Sequence, residues 1–130
     1  MTQERLTIAG TERSPEVDFD FASGRFSMRG ESYPEDAAAF FGPIFDALRR
    51  YLQAPAPDGI TLDIEFIYFN SSSAKALMNI LEMLEKSAAD GTRVEINWHY
   101  ADDDDTMKEF GEDFSEDLEH VTFNLVSVDG

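Results

Sequence analysis

The chain has 130 residues, 42% of them hydrophobic and none of them cysteine. That fits one domain over 1–130 with one core, and excludes a disulfide scaffold, a cysteine nucleophile and a thiolate metal site. Ten basic residues face 27 acidic ones, a formal net charge of −17, so nucleic acid and anionic membrane surfaces are poor partners because both would repel this field.

Met1–Arg5 is polar and no apolar stretch follows it, so no secretory signal is expected. No apolar run approaches the ~18 residues that a membrane span needs. With the lack of cysteine, this fits a cytoplasmic protein. Leu6 and Ile8 allow a short first strand. Val17, Phe19 and Phe21 alternate with Asp18 and Asp20, Ala22-Ser23-Gly24 follows as a turn, and Phe26 and Met28 alternate with Arg25, Ser27 and Arg29. This predicts a β-hairpin with one wet face. Pro34, Glu35 and Asp36 suit a first helical turn, and Ala37, Phe41, Ile44, Leu48 and Leu52 recur at helical spacing. Pro43 predicts a kink near Gly42-Pro43, or a helix that begins there.

Pro55-Ala56-Pro57-Asp58-Gly59 reads as a loop. Ile60, Leu62, Ile64, Phe66 and Tyr68 alternate with polar residues as a strand. Ile67 and Phe69 break that alternation and predict an end buried on both faces. Ala74, Leu77, Met78, Leu81, Leu84 and Ala88 form a helical stripe that Asp90-Gly91 ends. Val94, Ile96, Trp98 and Tyr100 predict a further strand. Met107, Phe110, Phe114 and Leu118 predict a helix within Asp102 to Leu118, and Phe123, Leu125 and Val128 a last strand. The expected fold is α/β: a single-domain mixed β-sheet of four to six strands, with about three helices mainly on one face. Interaction domains of the anti-sigma-factor-antagonist (STAS-like) type share this plan.

The chemistry concentrates where a strand runs into a helix, at Tyr68-Phe69-Asn70-Ser71-Ser72-Ser73-Ala74-Lys75. Backbone N–H groups at a helix start lack internal partners. An Asn or Ser side chain satisfies them as an N-cap, and an anion is received equally well. The residues alone therefore admit a plain cap or a phosphorylated serine, and composition favours the cap.

Further motifs narrow this choice: Gly10-Thr11 with Ser14-Pro15-Glu16-Val17, Ser32-Tyr33-Pro34-Glu35, the Tyr68–Ala76 segment, Trp98-His99-Tyr100 followed by Asp102 to Asp105, and Gly111-Glu112-Asp113-Phe114. Together the chain resembles the SiaC family of bacterial regulatory phosphoproteins over nearly its whole length. The resemblance implies a non-enzymatic partner-switching regulator without cofactor or metal. A cognate Ser/Thr kinase modifies the residue after the Asn, here Ser71 where the family usually has Thr, and a cognate phosphatase reverses it. Ser72 and Ser73 are lesser candidates. The unphosphorylated form is expected to bind and activate a diguanylate cyclase, in cyclic di-GMP signalling and biofilm regulation. Asn70, Ser71, Ser72 and Lys75 are the expected partner-binding residues.

Two alternatives stand beside this reading. One is an unswitched acidic interaction module, since 13 of the 27 acidic residues lie from Asp90 onward and suit a basic partner. The other is a Mg²⁺-dependent phosphohydrolase using Asp102 and Asp104 of the Asp-x-Asp-x-Thr string, for which the last strand offers no further acid before Asp129. His99 and His120 share no ligand spacing and read as exposed histidines.

Overall fold

A computed structural model describes residues 5–53 and 59–128. The elements are β1 (Arg5–Ile8), β2 (Glu16–Asp20), β3 (Arg25–Ser32), α1 (Ala37–Tyr51), β4 (Ile60–Phe69), α2 (Ser71–Ala89), β5 (Val94–Ala101), α3 (Asp105–Ser115) and β6 (Thr122–Val128). They build one six-stranded sheet whose spatial order is the chain order, β1 to β6. The β1–β2 and β2–β3 pairs are antiparallel; β3–β4, β4–β5 and β5–β6 are parallel.

Three successive parallel steps in one direction, each through a right-handed crossover, put all three helices on the same face. That face carries the core. Phe19, Phe26, Met28, Leu62, Ile64, Ile96 and Trp98 from the strands are buried against Phe41, Ile44, Leu48, Leu77, Ile80, Leu81 and Leu84 from the helices. The other face is open and polar, laced by Arg5–Asp18 and Arg29–Glu65 ion pairs and by Asn97–Asp63 and Asn124–Asn97 hydrogen bonds. The expected wet hairpin face and one-sided helix layer are both present. The proposed Pro55–Asp58 part of a loop lies outside the described residues.

Several details depart from expectation. Pro34, Glu35 and Asp36 precede the first helix instead of opening it. Asp36 is its N-cap, accepting from the Ala39 N–H at 3.0 Å, and Glu35 pairs with Arg13. Nor does the helix begin at Pro43; it runs through that residue. Pro43 is exposed, and so is Ala39 four residues earlier, so water replaces the donor that proline withholds. The third helix starts at Asp105, because Asp104 takes the cap and accepts from the Met107 N–H at 3.0 Å.

The end of β4 is not buried on both faces. Gly30 pairs with Phe66 and Glu31 with Tyr68, so Ile67 is an extra residue in the ladder. The bulge shifts the side-chain phase by one. Phe69 then turns inward, 7% exposed, while Ile67 stands out at 73%.

Gly111 lets α3 approach the sheet closely. A Cβ there would lie 2.5 Å from Trp98 Cδ1 and 2.6 Å from Leu125 Cδ2. Alanine gains roughly 1 kcal/mol over glycine in a helix. Forcing it into a filled contact costs about 1–3 kcal/mol, and here both obstructing groups belong to the sheet. Gly111→Ala is therefore expected to lower the urea midpoint despite its better helix propensity.

Candidate functional site

The carboxyl ends of β3 and β4 and the start of α2 meet at one edge of the sheet, the location where parallel α/β sheets present their sites. Asn70 leaves the strand with extended backbone, φ −90° and ψ 177°, and its side-chain oxygen accepts from the Ser73 N–H at 2.9 Å. The Asn70 N–H donates to the Ser32 carbonyl at 3.0 Å, and the Ala74 N–H to the Asn70 carbonyl at 2.9 Å. The cap is therefore tied both to its own helix and to the neighbouring strand.

The three serines divide sharply. Ser71 and Ser72 are exposed. Ser73 is 1% exposed, and its hydroxyl accepts from that of Ser32, itself fully buried, at 2.7 Å. Two buried hydroxyls that satisfy each other avoid the cost of an unpaired polar group and pin the first turn of α2 to β3. Sequence reading placed Ser73 among the candidate acceptors; its oxygen faces the interior. Lys75 is exposed one turn after Ser71, the i,i+4 spacing at which side chains meet on a helix surface. The first turn of α2 carries no acidic residue, so its N–H groups have no local anion.

Apolar side chains frame this corner. Tyr68 is 50% exposed and meets Tyr33 edge to face, with ring centroids 5.7 Å apart. Beneath it Phe69 packs on Phe66, Trp98, Phe110 and Phe114. The Tyr33 N–H donates to the Arg13 carbonyl at 2.6 Å, which brings the β1–β2 loop to the same edge. Reading by composition missed Ser32, Tyr33 and the exposure of Ile67 and Tyr68. The broken alternation at Ile67 was the available signal, since an extra apolar residue at a strand end also marks a bulge.

The remaining candidates lie elsewhere. Asp102 and Asp103 are exposed in a turn, and the Asp104 carboxylate caps α3. Among the described residues no three His, Asp or Glu side chains converge to hold a metal. Neither histidine stands free. His99, with its side chain 22% exposed, lies 3.1 Å from Asp63 on the open face, correcting the expected exposure.

His120 Nδ1 lies 2.5 Å from Glu85 Oε2. Glu85 Oε1 accepts from the N–H groups of Glu119, His120 and Val121 at 3.0, 2.8 and 3.2 Å, clamping α2 to the turn that enters β6. Burial pushes the Glu85 carboxyl up, but the His120 ring and the His120 and Val121 backbone donors outweigh it and hold it below its ordinary value. A depressed carboxyl contributes stability above its unfolded-state pKa and loses it as pH falls through the folded-state value. Glu85→Ala is thus expected to cost about 1–2 kcal/mol at pH 7 by chemical denaturation. The gap to the unsubstituted chain should narrow steadily below the ordinary carboxylate range.

Comparison with known proteins agrees with this architecture. A sequence model described as SiaC family regulatory phosphoprotein matches residues 8–128. An uncharacterized protein of Pseudomonas aeruginosa strain UCBPP-PA14 is 39% identical over 112 residues, 86% of this chain and 88% of that one. The crystal structure of apo-SiaC from P. aeruginosa superposes with a TM-score of 0.84 at 37% identity, over 95% of this chain and 99% of that one. SiaC in complex with the diguanylate cyclase SiaD, whose activator it is, superposes with a TM-score of 0.86 at 36% identity, over 95% and 99% of the two chains. With a matching profile over residues 8–128 and a superposition over 95% of its length, the chain belongs to the SiaC family of regulatory phosphoproteins.

Proposed function

We propose that this chain is a non-enzymatic partner-switching regulator whose unphosphorylated form binds and activates a diguanylate cyclase, and that phosphorylation of Ser71 withdraws it. Family membership and the activator role of the P. aeruginosa relative support the class of partner. A cognate Ser/Thr kinase loads the site and a cognate phosphatase clears it. The observation that supports the residue assignment is the contrast within one turn: Ser71 and Ser72 are exposed, whereas the Ser73 hydroxyl is sealed against Ser32, and of the two exposed serines Ser71 is the one directly after the Asn.

Asn70 caps the helix, so the Ser71 hydroxyl is not consumed in capping. Asn70, Ser72 and Lys75 share the exposed corner and form the polar part of the docking surface. Intact-mass and peptide mass spectrometry after incubation with the cognate kinase and ATP test the assignment. One phosphate on Ser71, lost in Ser71→Ala and retained in Ser72→Ala, is the expected result. Modification confined to any residue other than Ser71 overturns it.

A further inference from the structure

The two outer strands of the sheet are guarded differently. β1 is four residues long and carries Arg5, paired with Asp18. β6 is Thr-Phe-Asn-Leu-Val-Ser-Val, the sole strand of the six without a charged residue, and it holds neither proline nor glycine. Its β5 side is paired from Thr122 to Val128; among the described residues its other side pairs with no strand. Natural sheets usually blunt such an edge with charge, proline or a bulge, because its free N–H and C=O groups template another strand. Leu125 adds an apolar contact, 37% exposed.

What overlooks this edge is acidic. Gly111 faces the sheet, against Trp98 and Leu125, and Phe110 packs on Phe69 toward β4. With about 100° between successive helical residues, the side chain after Gly111 projects the opposite way, past β6. That flank of α3 comprises Asp105, Glu112 and Glu116, all exposed, with Lys108 as its one cation. The Glu85 clamp on Glu119–Val121 fixes the entry to the strand.

We propose that the outer edge of β6 is a strand-addition site for an extended, basic segment of another protein, with main-chain hydrogen bonds supplying affinity and the α3 carboxylates selecting charge. A second copy of the chain is the poorer occupant. Antiparallel β6–β6 pairing would set two acidic flanks side by side on a body already at −17. The site is separate from the Ser71 corner and stands whether or not Ser71 is phosphorylated.

The test uses a peptide alternating lysine and valine, of the length of β6, its glutamate–valine counterpart, and a lysine–valine version N-methylated along both edges. Hydrogen exchange of the intact protein should show protection of β6 amides by the lysine peptide. Affinity should fall about tenfold in a Glu112→Lys/Glu116→Lys variant and for the glutamate peptide, and binding should vanish on N-methylation. Equal binding of the N-methylated peptide, or no protection of β6 at saturation, overturns the proposal. So does concentration-dependent dimerisation that protects β6 without peptide.

Discussion

Phosphate on Ser71 is expected to weaken target binding at least about 100-fold, which corresponds to roughly 2.7 kcal/mol. The group adds about −1.5 to −2 charges at pH 7 and three acceptor oxygens. It appears on a corner that offers Lys75 and the first N–H groups of α2, on a chain of net charge −17. Those donors satisfy part of the new charge when the corner faces water. Pressing the same corner against a target that evolved to meet a neutral hydroxyl strips the remaining hydration, at a cost of several kcal/mol. No refolding is needed. Ser71→Ala should stay within about 0.5 kcal/mol of the unsubstituted stability, since the side chain is exposed and Asn70 holds the cap. It should bind its target with or without kinase treatment. Ser71→Asp carries a single charge without the three oxygens and should weaken binding only partly. Titration calorimetry against the purified cyclase, before and after kinase treatment, reads all three. Equal affinity of modified and unmodified protein would falsify the switch while leaving the docking reading intact.

The largest stability effect is expected at Trp98. The indole is fully buried, its Nε1 donates to the Met107 carbonyl at 2.9 Å, and it meets Phe66, Phe69 and Phe114 nearly edge-on. Trp98→Ala removes that packing and leaves a cavity, for which about 3–5 kcal/mol is expected. It also removes the indole's hydrogen bond to the Met107 carbonyl in the first turn of α3. Trp98→Phe keeps most of the volume, loses the hydrogen bond, and should cost clearly less. Urea titration separates the two. The damage should also spread to the site, because Phe69 rests on Trp98 and immediately precedes Asn70. Hydrogen exchange at the start of α2 should rise in Trp98→Ala beyond what the global loss explains.

Much of this was legible without coordinates. Alternation of apolar and acidic residues in Val17–Phe21 and Ile60–Phe66 defined strands with one buried face, and the single-sided helix layer followed from it. The helix-start serines and their Asn were visible as a motif. What stayed hidden depended on long-range partners. Ser73 is an ordinary helix-start serine until Ser32, 41 residues earlier, meets it in the interior. His99 looks solvent-facing until Asp63 is placed beside it, and His120, exposed as expected, gives no hint of its contact with Glu85. Pro34 and Asp36 both suit a helix start, and local preference does not rank them; the Asp36 side chain reaching Ala39 decides it.

The added residue at Ile67 has a consequence for anyone who would transplant this device. Were the bulge flattened with Ile67 kept, Phe69 would face outward, and the polar turn behind it would leave the sheet half a pleat out of step. A chimera that grafts the serine helix onto another parallel scaffold must therefore keep the bulge together with its isoleucine, or drop both. A graft that kept every residue but was held to regular pleating would turn Phe69 to the open face and start the serine helix from the wrong side.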